Sequence, residues 1–400
     1  MNLSRFNAFT DSQLKIAGWL RRQNDERSPQ PDISSGFIAR CLLCQVPLNK
    51  SSLLELDGEL RRPEVKSSFE HCVDSGAFAP AVSDSTILSF AEESHEKPQQ
   101  YFSSRLQQSF NNRGHFKFTL PSGRKIKPAV IDGSCFGSTW ASVFAHVGDD
   151  GTFPVDLEGF TTYGKEPVAS RQLMDRRASM ASHILYDGLA FKSWFFEKAL
   201  AHQAHGVIKA TDDSRRPIRW ANKLFDSISD ERDLQRSEVE ITEVTDPERR
   251  IKDTIYRTSQ VPCNKLDTEL NIARVHRTFL SSHPQRAGET VVFWLITTDQ
   301  SLTARELRAL GFARWSIENN VFKELNQRVN TKSKYVQSAR KKQTLLFWWL
   351  MGWSMLQAYW IHISLDEQIE ASPMKATNHN KMILLQIYTS EGMNDPPAMF

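Results

Sequence analysis

A long uncharged run near the C-terminal end constrains the fold of this chain more than any other feature. Residues 344–365 contain no Asp, Glu, Lys or Arg and include four tryptophans. A run of this length is long enough to cross a bilayer. Gly352, Ser354 and Gln357 dilute its apolar character, however, and the tryptophans lie within the run rather than at its two ends, where a membrane belt would place them. We therefore predict a helix buried inside a large protein, and no membrane partner.

The composition is that of a globular protein with room for more than one domain. The chain has 400 residues, of which 40% are hydrophobic and 24% are charged. The formal net charge of +3 excludes a basic tail protein and a disordered acidic chain. It does not exclude nucleic-acid binding, because a large protein can confine its basic residues to one groove. Five scattered cysteines, with no apolar signal stretch at Met1, predict a cytoplasmic protein without a disulfide scaffold.

The spacing of apolar residues changes character along the chain. Residues 1–124 are predicted to be mostly helical. Within 125–211, short apolar runs that end in turn signals alternate with helical segments, which predicts the first part of an α/β core. The polar residues 212–290 contain broken β-like runs and are predicted to be a β-rich insertion. Residues 291–365 would complete the core, and 366–400 would form a C-terminal tail.

Two of the predicted strands end on an aspartate that is followed by glycine. The run Pro128–Ile131 closes on Asp132, and the run His183–Tyr186 closes on Asp187. A carboxylate at the end of a buried strand is costly unless a metal or another cation balances its charge. For any single Asp-Gly pair, a turn or capping carboxylate is the commoner interpretation.

A third carboxylate, Glu318, follows on a late helix. Thr303 and Glu306 have the spacing of a capping box, so we expect one long helix to begin at Thr303. Arg314 lies one turn before Glu318, which sits at the edge of the apolar face. Three oxygen donors that converge here would suit Mg²⁺ or Mn²⁺.

With these acids in this order, the chain resembles the bacterial insertion-sequence DDE transposases. The block Arg314–Leu325, which has the sequence RWSIENNVFKEL, is similar to the closing acidic helix of that family. Asp132 and Asp187, each followed by glycine, resemble its first and second acids. The resemblance covers roughly residues 125–360. It implies an RNase H-like mixed sheet with flanking helices, interrupted by a β-rich insertion and preceded by a helical region that binds DNA.

The resemblance also implies an activity. Members of the cut-and-paste group cleave DNA at the ends of a mobile element and join those ends to target DNA. Asp132, Asp187 and Glu318 would then be both catalytic residues and ligands of two Mg²⁺ ions, for which Mn²⁺ can substitute. Asp132 would bridge the two ions, and each of the other acids would hold one.

The expected DNA contacts are Arg314, Lys323 and Trp220. Arg314 would contact a phosphate near the scissile bond through its planar guanidinium. Trp220 would stack on an unpaired base, although packing is the commoner role for a tryptophan. The implied partners are double-stranded DNA, as terminal inverted repeats and as target, and a second copy of the chain in the DNA-bound synaptic complex.

Two positions depart from the family pattern. Relatives commonly carry a tyrosine three residues before the arginine and a lysine seven residues after the glutamate, and this chain has Gly311 and Leu325 there. The departures leave two alternatives open: a metal-dependent DNA nuclease, and an inactive, transposase-derived protein that only binds DNA.

Cys41, Cys44, His71 and Cys72 have the side chains of a zinc site. The spacing between the two pairs is long for such a site, and the leucines between the first two cysteines are predicted to be buried. We therefore expect small core thiols at these positions rather than a metal site.

Overall fold

The structure is a computed structural model. It describes residues 2–27, 32–69, 72, 82–188, 191–229, 231–263, 265–333 and 336–363. The predicted tail, 366–400, lies outside the described residues, as does His71 of the zinc hypothesis. Cys41 and Cys44 are buried on one helix of the N-terminal region, as expected for small core thiols.

Helices form the N-terminal region, as predicted. They are α1 (Leu3–Phe9), α2 (Ala17–Leu20), α3 (Ser35–Leu48), α4 (Leu53–Leu60), α5 (Pro63–Ser67), α6 (Asp84–Glu93) and α7 (Glu96–Asn112). Ser34, Ser52 and Ser83 cap α3, α4 and α6, respectively, because each side chain accepts a hydrogen bond from the backbone N–H three residues further on. Each cap satisfies one of the donors that the first helical turn leaves unpaired.

The remainder of the described chain is built on one mixed sheet of nine strands, in the order β5-β4-β3-β6-β7-β11-β10-β9-β8. The strands are β3 (Pro128–Phe136), β4 (Thr139–Gly148), β5 (Gly151–Phe160), β6 (His183–Asp187), β7 (His205–Ala210), β8 (Val239–Asp246), β9 (Ile251–Val261), β10 (Leu270–Phe279) and β11 (Thr290–Thr297), and a separate ribbon joins β1 (Phe118–Thr119) to β2 (Lys125–Ile126). β3, β4 and β5 are antiparallel neighbours, whereas β6 and β7 run parallel to β3. The predicted α/β class, with a mixed sheet and flanking helices after a helical N-terminal region, is confirmed.

Helices cover the sheet. α8 (Glu166–Arg177) packs against β4 and β5, α9 (Ser193–Ala201) packs against β7, and α12 (Ala304–Arg314) packs against β6 and β7. The described chain also contains α10 (Arg216–Asp226), α11 (Glu231–Arg236), α13 (Lys323–Val329) and α14 (Ala339–His362).

The uncharged run lies on α14. This helix packs against α3, α6 and β5, and every residue from Thr344 to Trp360 is buried. Gly352 allows close contact with α3, since a Cβ atom there would lie 2.5 Å from the carbonyl oxygen of Leu43. None of the helices that the structure describes combines the length and the apolar character needed to cross a bilayer. The prediction of a buried helix is confirmed.

The prediction that Asp132 ends a strand was wrong. β3 continues to Phe136, and Asp132 pairs with Val143 of β4 in the middle of the ladder. The turn comes at Gly137, whose φ of +72° lies in the left-handed region that favours glycine. Gly133 is a glycine for another reason: the carboxylate of Glu166 occupies the space that a side chain would need. The Asp-Gly pair therefore reflects packing rather than turn formation.

The expectation of one long helix from Thr303 was also wrong. The capping box is present and starts α12, but a π-helical turn at Ile317–Phe322 separates α12 from α13. A π-turn has i→i+5 hydrogen bonds, so each residue advances by less than the ~100° of an α-helix. Ile317, Val321 and Leu325, spaced four residues apart, therefore stay close to one line and are all fully buried.

The strands within residues 212–290 extend the central sheet. β8, β9 and β10 form an antiparallel series, β10 pairs with β11, and β11 pairs with β7. The segment thus adds β8, β9 and β10 at one end of the sheet that carries Asp132 and Asp187.

Candidate active site

Asp132 and Asp187 lie where two parallel strands separate. The pairing of β3 with β6 ends at Val130 and Leu185, so both aspartates come just after the last paired residues. Asp132 is only 8% exposed, whereas Asp187, the last residue of β6, is half-buried. The structure therefore brings together two acids that are far apart in sequence.

The helical segment after β11 brings Glu318 and Arg314 to the same place. Arg314 Nη2 donates a hydrogen bond to Glu318 Oε1 at 2.5 Å, and its Nη1 lies 3.8 Å from Asp132 Oδ1. We call the group formed by Asp132, Asp187 and Glu318 the acidic centre. The Glu318 side chain is 46% exposed, so the acidic centre opens to solvent on this side. Glu318 belongs to the π-helical turn, a feature that is frequent at functional sites.

The negative charge at this centre is poorly balanced. Burial raises the pKa of Asp132 to about 7, the nearby Arg314 opposes this rise, and Glu318, Asp187 and Glu166 reinforce it. One guanidinium thus faces several carboxylates, a condition that favours binding of a further cation.

Glu166 is a fourth acid that the sequence analysis missed. It is the first residue of α8, it is 6% exposed, and it accepts a hydrogen bond from the Tyr186 hydroxyl at 3.0 Å. Burial raises its pKa, the hydrogen bond from Tyr186 opposes the rise, and the charge of Asp187 adds to it. No sequence signal points to this residue, because its place depends on how α8 packs against the sheet.

Lys209 is a second residue that the sequence analysis missed. It is the neighbour of Asp187 in the parallel pairing of β6 with β7, and its Nζ lies 3.6 Å from the ring centre of Trp315. Burial lowers its pKa to about 8, and the charges of Arg277 and Arg314 lower it further. The sequence predicts a strand that contains Lys209, 22 residues after Asp187, but it does not predict that the two residues are paired across β6 and β7.

A cavity of about 320 Å³ adjoins Glu318, and Lys323 and Lys332 line it together with Asn326 and Gln327. The predicted DNA contact Lys323 is therefore beside the acidic centre. Trp220 lies on α10, which packs against β9 and β10, and it is 44% exposed, so packing covers only part of its surface.

The two departures from the family pattern are built into the core. Leu325 is fully buried, and a Cβ atom on Gly311 would lie 2.7 Å from Leu295 Cδ2. A lysine in place of Leu325 would bury its charge, and a tyrosine in place of Gly311 would require Leu295 to move.

The donor atoms suit a hard divalent cation, but they do not yet enclose one. Carboxylate oxygens are the usual protein ligands of Mg²⁺. Within the described ranges, no three His, Cys, Asp or Glu side chains stand close enough together to hold an ion as they are placed. Glu318 Oε1 accepts a hydrogen bond from Arg314, so this contact would compete with an ion held by Asp132, Asp187 and Glu318 together.

Comparisons with known proteins found no match for the chain, either among protein-family models or among curated proteins. The resemblance to the DDE transposases therefore rests on the order of the acids and on the block from Arg314 to Leu325. Its structural counterpart is the acidic centre just described.

Proposed function

We propose that this chain is a DNA transposase that cleaves DNA at the ends of a mobile element and transfers the freed strands into target DNA. The observation that carries the proposal is that Asp132, Asp187 and Glu318, from three separate elements, lie near enough for the charges of Asp187 and Glu318 to raise the pKa of Asp132. Arg314 contacts two of these acids.

Each side chain has a role in this reaction. When bound, two divalent ions would stabilise the attacking and leaving oxygens of the phosphodiester. Asp132, Asp187 and Glu318 would hold these ions. Arg314, whose Nε has no hydrogen-bond partner among the described residues, turns its guanidinium to a phosphate. Lys209, whose charge interacts with that of Glu318, supplies a second positive charge near the acids.

The rest of the molecule would guide the DNA. Lys323 and Lys332, at the cavity beside Glu318, would follow the backbone of the strand that leaves the acidic centre. Trp220 would stack on an unpaired base, and the N-terminal helices would bind the terminal inverted repeats. Two ends held together imply a homodimer in the DNA-bound complex. We place this reaction in the cytoplasm.

The test uses the full-length chain with Mg²⁺ and duplex oligonucleotides that carry the inverted repeats flanking its coding sequence. We expect cleavage at the repeat ends and joining of the 3′ ends to a supercoiled plasmid. Asp132→Asn, Asp187→Asn and Glu318→Gln should each lower both steps by more than about a hundredfold. Asp175→Asn, at a 56% exposed acid paired with Lys198, is the control and should be fully active.

The same assay separates the alternatives. Cleavage without joining would favour a metal-dependent nuclease, an alternative that the buried Leu325 supports, because a phosphate-binding lysine is missing there. Tight binding of the repeats without any cleavage would favour a protein that only binds DNA. Cleavage that persists in all three acid variants would refute the assignment of the acidic centre.

A further inference from the structure

Glu166 contacts both β3 and β6 near the point at which these strands separate. β3 and β6 are paired as far as Val130 and Leu185 and then separate. Beyond that point the Glu166 carboxylate accepts a hydrogen bond from the Tyr186 hydroxyl of β6, at 3.0 Å, and lies against Gly133 of β3, whose backbone N–H helps to lower its pKa. One side chain thus contacts both strands just after their last paired residues.

The fit around this carboxylate is close. A Cβ atom on Gly133 would lie 2.4 Å from Glu166 Cδ, so no other residue type fits at that position without displacing Glu166. On the other side, the Tyr186 hydroxyl also pairs with Ser170 at 2.8 Å, and Ser170 pairs with Ser142 of β4 at 3.0 Å. This buried network joins α8 to β3, β4 and β6 and holds the Glu166 side chain in one position.

The two strand residues that Glu166 binds are the direct neighbours of the acids. Gly133 follows Asp132, and Tyr186 precedes Asp187. The contacts of Glu166 therefore act on the two residues that are bonded directly to the aspartates. Partners that orient metal ligands in this way commonly affect metal affinity almost as strongly as the ligands themselves.

We propose that Glu166 is a positioning residue of the acidic centre: it joins β3 to β6 where they separate, and thereby sets the spacing with which Asp132 and Asp187 hold a divalent cation. The inference rests on the proposed function, in which these two aspartates are metal ligands. The negative charge of Glu166 acts in the same direction, because it increases the attraction of the site for a cation.

The test measures Mn²⁺ binding to the full-length chain without DNA, from the loss of the electron paramagnetic resonance signal of free Mn²⁺. Glu166→Gln keeps the size of the side chain but removes its charge, and Tyr186→Phe removes one hydrogen bond but leaves the charge. We expect Glu166→Gln to weaken Mn²⁺ binding by about 10- to 100-fold and Tyr186→Phe to weaken it less.

Glu158→Gln is the matched control. Glu158 is a partly buried carboxylate on β5 that is paired with Arg176 at 2.8 Å, and burial raises its pKa as well. Loss of the Glu158 charge in this variant should leave Mn²⁺ binding unchanged. A purely structural role for Glu166 would lower the melting temperature of its variants without changing the Mn²⁺ affinity of the folded protein.

Three outcomes decide the matter. Weaker Mn²⁺ binding in folded Glu166→Gln, with normal binding in Glu158→Gln, supports the inference. Unchanged binding in Glu166→Gln and Tyr186→Phe, together with loss of binding in Asp132→Asn, overturns the inference and leaves the proposed function intact. If the wild-type chain binds no Mn²⁺ at millimolar concentration, the proposed function fails, and the inference fails with it.

Discussion

We predict that the proposed DNA binding depends on pH through the charge of Lys209. Because its pKa is lowered to about 8, first by burial and then by Arg277 and Arg314, the side chain loses its positive charge as the pH rises from 7 to 9. If Lys209 contacts a phosphate, DNA binding weakens over that range. The slope of the logarithm of the binding constant against the logarithm of salt concentration should then fall by about 1.

Two variants check this prediction. Lys209→Met should show the smaller salt slope already at pH 7, with no further change on going to pH 9. Lys209→Arg stays charged between pH 7 and pH 9 and should keep the larger salt slope at both pH values. A wild-type slope that does not change with pH would count against a phosphate contact by Lys209.

We predict that Arg314 competes with a metal ion for the acids. Its guanidinium lies against Glu318 and near Asp132, so removing it frees both carboxylates. We expect Arg314→Gln to bind Mn²⁺ at least about tenfold more tightly while it cleaves DNA more slowly, because it lacks the phosphate contact. Mn²⁺ titration and the cleavage assay would separate the two effects. Equal Mn²⁺ affinity in the variant and the wild type would refute the competition.

At the scale of single elements, a cluster of three charged side chains joins β9 and β10 to α12. Asp253 of β9 is fully buried and accepts hydrogen bonds from Arg277 of β10 at 2.8 Å and from Arg308 of α12 at 2.6 Å. Asp253→Asn leaves two buried guanidinium groups without a full countercharge. We expect the free energy of unfolding to fall by about 3–5 kcal/mol in urea denaturation.

The neighbouring Asp246 provides the control for this experiment. It lies 3.7 Å from Arg308 and 3.3 Å from Arg249, and it is more exposed than Asp253. Asp246→Asn should therefore change the free energy of unfolding by no more than about 1 kcal/mol. Equal losses for the two variants would contradict the special role of burial at Asp253.

The packing of α14 on α3 depends on the missing side chain of Gly352. Gly352→Ala places a methyl group 2.5 Å from the carbonyl oxygen of Leu43, so the two helices must move apart. We expect a loss of about 1–3 kcal/mol in the free energy of unfolding. Gly58 is also helical, but a Cβ atom there meets nothing within 4 Å. Gly58→Ala should instead stabilise the chain by about 0.5–1 kcal/mol, and denaturant titration compares the two.

For the whole molecule, the central question is whether the sheet folds as one unit. β11 lies between β7 and β10, and the Trp294 indole of β11 also donates to Asn222 of α10 at 3.2 Å. Replacing residues 212–290 by a short linker therefore exposes the edge of β11 and removes Asp253 from Arg308. We expect the shortened chain not to fold, as judged by near-ultraviolet circular dichroism. Cooperative unfolding of that chain would instead show an independent core.

Much of the fold follows from local patterns, but the site follows only in part. The apolar run His183–Tyr186 predicts β6 correctly, and the capping box at Thr303 predicts the start of α12 correctly. The same approach places Asp132 at a turn and extends one helix through Glu318. The first error arises because the ladder with β4 continues past Asp132 to Phe136. The second arises because a π-helical turn interrupts the helix at Ile317–Phe322.

The sequence by itself determined the properties that each segment expresses alone: the α/β class, the helical N-terminal region, the buried uncharged helix and the order of the acids along the chain. Periodicity and hydrophobic burial act within a segment, so they can be deduced without a partner. Only the tertiary structure decided which side chains share one site. Glu166 and Lys209 join the acids because the packing of α8 and the register of β6 with β7 are set by contacts between residues far apart in sequence.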